Sequence, residues 1–312
     1  MSDQISLDAL LPPAMAAKAE DLGVKKAGLS AANMFALAVL AGAFIGIGAI
    51  FATTVAAGGM SVRDAAGAAT FTTGLPYGVT RLLTGLVFSV GLILVVVGGA
   101  ELFTGNTLIT MAFASKKVTL VKLLRNWTIV YFGNLVGSIL TAYIVFLGKQ
   151  YTFGNGAVGL TALAIGEGKT GLTFIQAVAL GIMCNALVCM AVWLCYSART
   201  TTDKILAIIP PISCFVAAGF EHSIANMYFI PMALFVKGSG DATFFQAIGR
   251  TAESFPNLTW GNFVFANLVP VTIGNIIGGA IMVGMIYWFV YLRKVAAPAS
   301  QVKAGEAKAA AD

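Results

Sequence analysis

Six apolar stretches dominate this chain: Ala27 to Val62, Leu82 to Ser115, Asn126 to Gly148, Thr170 to Ala198, Ile205 to Val236 and Ser254 to Leu292. Each is long enough to cross a bilayer core, which takes about 20 residues. Four contain no acid or base, whereas Leu82 to Ser115 holds Glu101, and Ile205 to Val236 holds Glu221 and the single histidine, His222. With 58% hydrophobic and only 10% charged residues and a mean hydropathy of +0.88, lipid is the solvent for most of the surface.

The two charged runs share a pattern. Gly99 to Asn106 reads GAELFTGN and Gly219 to Asn226 reads GFEHSIAN, with Gly, Glu and Asn at the same spacing. A continuous helix of about 30 residues, at about 1.5 Å each, overreaches a core of roughly 30 Å. Both runs are therefore read as helices broken near the glutamate, the second disturbed further by Pro210, Pro211 and Pro231. Irregular backbone survives at membrane depth only where protein or a wet cavity receives it, so the breaks face inward.

The repeat extends further. FGNLVGS, from Phe132, resembles IGNIIGG, from Ile273, and a fainter pair sets Ala38-Val39 and Gly42 against Ala177-Val178 and Gly181. Spans one to three thus match spans four to six in order. Three crossings per half make the second half enter from the opposite face, so the halves are inverted. The expected fold is an all-α integral membrane protein of six transmembrane helices in two inverted three-helix repeats, with the second and fifth helices broken. Gly42, Gly46, Gly133, Gly137, Gly274 and Gly278 form small-xxx-small pairs, read as close helix packing.

An even number of crossings returns both ends to one side, and 13 of the 19 basic residues fall there. The positive-inside rule makes that side cytoplasmic. The formal charge of +6 is then a matter of orientation and calls for no nucleic-acid partner. Residues 1–30 read as a cytoplasmic amphipathic segment lying on the membrane, with Leu7, Leu10, Leu11, Met15 and Leu22 as its oily side. The channel domain follows at 31–293, and 294–312 reads as a disordered cytoplasmic tail. Cys184, Cys189, Cys195 and Cys214 read as reduced, packed thiols. No cofactor motif, metal-binding set or catalytic triad can be assembled around one histidine, which argues against an enzyme.

Among the polar residues, Glu101 and Glu221 are either substrate ligands or, the preferred reading, acceptors of hydrogen bonds from freed N–H groups at their own breaks. His222 is either a neutral brace for the broken fifth helix or, as an ionisable base at membrane depth, part of a pathway; the second reading is preferred. Thr104 either bonds the backbone or offers its hydroxyl to a solute. Lys169, in GEGKT, either collects anions at a pore mouth or anchors the fourth span by snorkelling.

Together ELFTGN from Glu101, NWTIVYFGN from Asn126, GFEHSIANM from Gly219 and NLVPVTIGNIIGG from Asn267 resemble the formate/nitrite transporters, and most of all their formate channels. The resemblance runs from LLPPAMAAKAEDLGVKKA near the amino terminus to about Arg293. It implies an aquaporin-like protomer within a homopentamer of a bacterial inner membrane, each protomer having its own pore for small monovalent anions. Phe88, Leu92 and Phe215 match residues that narrow the path on the outer side, and Leu102, Phe103 and Asn185 those near an inner slit. Thr104 and His222 match a pair facing each other in a central chamber, with Glu221 and Asn275 as polar neighbours. Gly105-Asn106 departs from the small hydroxyl residues more common after this threonine, and nitrite, hydrosulfide, lactate and acetate stand as alternative cargoes.

Desolvating a bare monoanion costs up to tens of kcal/mol in the Born limit. Protonating an anion whose acid titrates near Asp costs only about 4 kcal/mol at pH 7. The expected mechanism therefore draws an anion past Lys169 to Thr104 and His222, where it shares or borrows a proton to pass the apolar rings.

Overall fold

The computed structural model describes residues 8–58, 61–64, 66–72 and 74–293. Six helices in it are long and apolar enough to span a membrane: α2 (Ala31–Ala57), α3 (Tyr77–Gly98), α6 (Leu120–Leu147), α8 (Phe174–Ser197), α9 (Thr201–Ala218) and α12 (Trp260–Tyr291). Between them lie α1 (Pro12–Gly28), α4 (Phe103–Asn106), α5 (Thr110–Ala114), α7 (Ala157–Thr170), α10 (Ser223–Lys237) and α11 (Ala242–Ile248). A hairpin pairs Ser61–Arg63 with Ala69–Thr72 before α3. The expected tail at 294–312 and the expected contact of Leu7 lie outside the described residues.

Both breaks are made the same way. Helix α3 ends at Gly99 with φ +76 and α9 at Gly219 with φ +80, a backbone that residues with a Cβ adopt poorly. The next amide reaches back over the last turn, Ala100 to Val95 O at 2.9 Å and Phe220 to Phe215 O at 3.0 Å, the hydrogen bond that closes a Schellman cap. The chain then runs extended into Leu102 and His222, which start α4 and α10. Pro210, Pro211 and Pro231 do not make the break: α9 and α10 continue through them. The left-handed glycine does.

Within each half the first span packs on the third, α2 on α6 and α8 on α12, while α3 lies against α9 across the halves. A Cβ on Gly137 would collide with Val39 O, and one on Gly278 with Ile182 O. These two close approaches fix the register of the repeat. They pair Val39 with Ile182, one helical turn away from the expected pairing of Val39 with Val178. Sequence similarity between two glycine- and alanine-rich helices does not distinguish registers one turn apart, because both place small residues on the same face.

Helix α7 was not foreseen. At 14 residues it is too short to span, yet most of it is buried, packed on α10. It precedes α8 as α1 precedes α2, so the repeat unit includes a short helix as well as three spans.

Helix α1 docks on the protein through a face of small residues. Met15, Ala16, Ala19, Glu20, Gly23 and Ala27 are buried, and Met15, Ala16 and Ala19 pack with Met111 and Trp193. Leu11, expected on the oily side, is 74% exposed. Small residues allow close docking on the protein. Lys117 Nζ to Glu20 at 2.6 Å and Ser197 Oγ to Leu10 O at 2.9 Å fasten the helix in place. Of the four free cysteines Cys184, Cys189 and Cys195 are buried, whereas Cys214 is exposed rather than packed.

Candidate functional site

Breaking a helix inside a membrane frees backbone groups that lipid cannot satisfy. Here two asparagines of the neighbouring long helices satisfy them. Asn134 Oδ1 accepts from Phe103 N at 2.9 Å, and its Nδ2 donates to Glu101 O at 2.9 Å and Ala38 O at 2.8 Å. Asn275 repeats this with Ser223 N at 2.9 Å, Glu221 O at 2.9 Å and Gly181 O at 2.8 Å. The breaks also donate: Glu101 N to Leu37 O at 3.2 Å and Glu221 N to Leu180 O at 3.3 Å.

The glutamates have another task than the one expected of them. Neither carboxylate takes the freed N–H groups. Glu101 accepts from Lys26 Nζ at 2.6 Å and Asn106 Nδ2 at 2.7 Å. Glu221 accepts from Lys169 Nζ at 2.7 Å, Asn226 Nδ2 at 2.7 Å and Asn267 Nδ2 at 3.2 Å. Asn126 and Asn267 close each set, accepting from Asn106 and Asn226 at 2.9 and 2.7 Å and donating to Lys26 O and Lys169 O at 3.2 and 2.9 Å. Each carboxylate is therefore held by one lysine from the short helix and one amide from the break, and Glu221 also by Asn267 of the long helix, whereas Asn126 reaches Glu101 only through Asn106. Such saturation is what a charge buried at membrane depth requires.

In the sequence Lys26 is one of the 13 basic residues assigned to one face of the membrane. Its position five residues before α2, matching Lys169 before α8, is the signal that identifies it. Asn106, the departure after Thr104, falls in this buttress. Lys169 turns inward to its carboxylate and sits 5.6 Å from the Phe229 ring centre, so neither a free lysine at a mouth nor a snorkelling anchor describes it.

His222 and Thr104 meet where the two breaks face each other, with His222 Nε2 2.9 Å from Thr104 Oγ1. Both are buried. His222 Nδ1 accepts from Ala225 N at 3.0 Å, capping α10. In the neutral ring this bond puts the proton on Nε2, which donates to the threonine hydroxyl. The histidine is thus both the helix brace and the group facing Thr104. Thr104 O in turn accepts from Thr107 Oγ1 at 2.6 Å and Asn185 Nδ2 at 3.3 Å. Asn185 lies closest to Asn275 O, at 2.6 Å, joining the two breaks.

On one side of this contact a cavity of about 670 Å³ opens, lined by Phe88, Phe215, Phe229, Lys169, Arg81 and His222 among others. Phe88 and Phe215 meet edge to face at 5.7 Å, and Phe215 lies 5.9 Å from the His222 ring. Leu92, one turn beyond Phe88, is buried and not part of the cavity wall. On the other side Leu102 and Phe103 are buried, Phe103 against Tyr131 at 5.0 Å and Trp127 at 6.0 Å. The sequence reading missed Phe229, Arg81 and Lys26 as residues of this region.

Six spans, two inverted breaks and a polar contact between aromatic and aliphatic layers define a membrane transport protein built from an inverted repeat. The chain belongs to the formate/nitrite transporter family, whose description, Formate/nitrite transporter, fits residues 13–289. It is 46% identical to the formate channel FocA of Escherichia coli (strain K12), over 92% of this chain and 96% of that protein. Identity to the formate channel FocA of Haemophilus influenzae is 39%, over 91% and 95%. A solved pentameric formate channel with formate bound superposes with a TM-score of 0.76 at 47% identity, covering 84% of this chain and 98% of that one.

Proposed function

We propose that this protein is a passive formate channel of the bacterial inner membrane, assembled as a homopentamer with both termini in the cytoplasm. The observation that carries the reading is the 2.9 Å contact of Thr104 with His222, a residue of the cavity wall. A carboxylate that displaces this contact meets two donors, the imidazole Nε2–H and the threonine hydroxyl. Phe88, Leu92 and Phe215 form the apolar layer on one side, and Leu102, Phe103 and Asn185 the layer on the other. Lys169, neutralised by Glu221, contributes to the vestibule more by shape than by net charge. The relatives named as formate channels support formate over nitrite, hydrosulfide, lactate and acetate, and transport over enzyme chemistry.

A proton added to the neutral His222 ring has one place to go, Nδ1, where it displaces the Ala225 bond. Proton exchange is thereby tied to the first turn of α10, and the formate anion crosses the apolar layers as the acid. His222→Asn tests this, because asparagine caps a helix well but does not titrate. Formate and nitrite uptake into proteoliposomes at two pH values is the measurement. The variant is expected to fold and to lose the pH dependence of formate flux. Unchanged dependence would falsify the proton role, and nitrite flux above formate flux would overturn the choice of cargo.

A further inference from the structure

The cavity above His222 is far larger than its proposed cargo requires. At about 670 Å³ it holds roughly twenty waters of about 30 Å³ each, whereas formate has three heavy atoms. Most of the wall is apolar, including Ala56, Ile165, Leu172, Phe220 and Phe229. Two cations line it. Lys169 is paired with Glu221, but Arg81 has no carboxylate partner among the described residues. Arg81 Nε donates to Ala217 O at 3.0 Å and Nη2 to Val216 O, which leaves Nη1 without a partner there. Nearby, the hydroxyl of Thr80, also in the wall, is buried and unpartnered.

We propose that this vestibule binds amphipathic monocarboxylates, with the free edge of the Arg81 guanidinium on the carboxylate and the alkyl chain along the Ile165, Leu172 and Phe220 wall. A guanidinium fixed by two backbone carbonyls is preorganised for such a head group. Charge complementarity selects the head and the greasy wall selects the tail. A small carboxylate uses the first alone and passes on; one with a tail uses both and stays. The occupied vestibule blocks the path above Phe88 and Phe215. That blockade rests on the transport reading; the binding does not.

Binding of straight-chain carboxylates from propionate to octanoate is measured by calorimetry on the full-length protein in nanodiscs, with empty nanodiscs and octanol as partition controls. Affinity is expected to rise about fourfold per methylene until the cavity is filled. Arg81→Gln is expected to weaken every member about tenfold, Arg81→Lys less, and Ala56→Phe to weaken only the longer chains. External hexanoate slows formate uptake into proteoliposomes. Binding no better than to empty nanodiscs, or equal in parent and Arg81→Gln protein, overturns the proposal. Arg81→Lys, which keeps the charge and a donor to the carbonyls, serves as the folded control. Chain-length-dependent, Arg81-dependent binding in a protein that moves no formate upholds this site and sinks the transport reading instead.

Discussion

The two breaks are built alike and equipped differently. Glycine cap, buried carboxylate, lysine from the short helix, a pair of bonded asparagines and a stitching asparagine occur in both. The residues that start the second segments do not match. Leu102 gives α4 no side-chain cap, and α4 is only four residues long before the backbone tightens at Thr107–Ile109. His222 caps α10, which runs unbroken for 15 residues. Thr104, opposite the histidine, is equivalent to Ile224, since each lies two residues after the start residue. What holds a break open is therefore duplicated, while the facing pair of His222 and Thr104 is supplied by asymmetry at two positions.

The comparison is broken most severely at the stitches. Asn275→Leu and Asn134→Leu each strand one buried N–H and one carbonyl of the break, at about 1–3 kcal/mol per group, and remove a second bond to a helical carbonyl. Both variants are expected to lose about 3 kcal/mol or more, read as a large drop in the thermal midpoint in detergent. Melting like the parent would show that the asparagines do not hold the breaks.

Next come the lysines. Lys169→Met leaves Glu221 buried and unpaired, a loss of about 3 kcal/mol. Lys26→Met is expected to cost roughly half of that, because Lys26 is 31% exposed against 17% for Lys169 and water screens the stranded carboxylate more. Adding Glu221→Gln to the first variant recovers much of the loss. A reversed order of the two melting shifts would sink the distinction.

The start residues separate packing from chemistry. Leu102→Ala removes a buried side chain, at about 2 kcal/mol, and leaves the pH dependence of formate flux intact. His222→Ala removes a cap worth about 1 kcal/mol and changes that dependence. The smallest effect lies outside both breaks, at Asp241, which caps α11 through Phe244 N at 3.0 Å and accepts from Tyr151 Oη at 2.9 Å. The Phe244 amide, then the Tyr151 hydroxyl, hold this carboxyl below its usual range. A lowered carboxyl stabilises above its unfolded value, near 3.9, and loses that contribution as pH falls through the folded value. Asp241→Asn is expected to lose this acid-side slope and little else, as measured by melting from pH 5 down to pH 3.

Much of the site was readable because lipid makes polar residues conspicuous. Glu101, Glu221 and His222 stood out in runs where every other charge had been excluded. Their partners did not stand out. Lys26 sat among other basic residues near the start of the first span, where the charge bias between the two faces already accounted for it. Asn275 was named through the family resemblance alone, and Asn134, its counterpart in the repeated Gly-Asn of FGNLVGS and IGNIIGG, went unmarked because the glycines already accounted for the pattern as close packing. Helix α7 lacked the length that marks a span, and the prolines of α9 suggested a break that Gly219 makes instead.

The sequence by itself determined six crossings, an inverted repeat and two interruptions with their carboxylates, because those follow from hydrophobic length, parity and the cost of charge in lipid. Tertiary structure alone decided which lysine meets which glutamate, which asparagine closes each break, and that Nδ1 of His222 is occupied by a backbone amide while Nε2 faces Thr104. Hydropathy depends on composition along the chain. A hydrogen bond depends on position to within a fraction of an ångström, and that is set by how closely the helices pack.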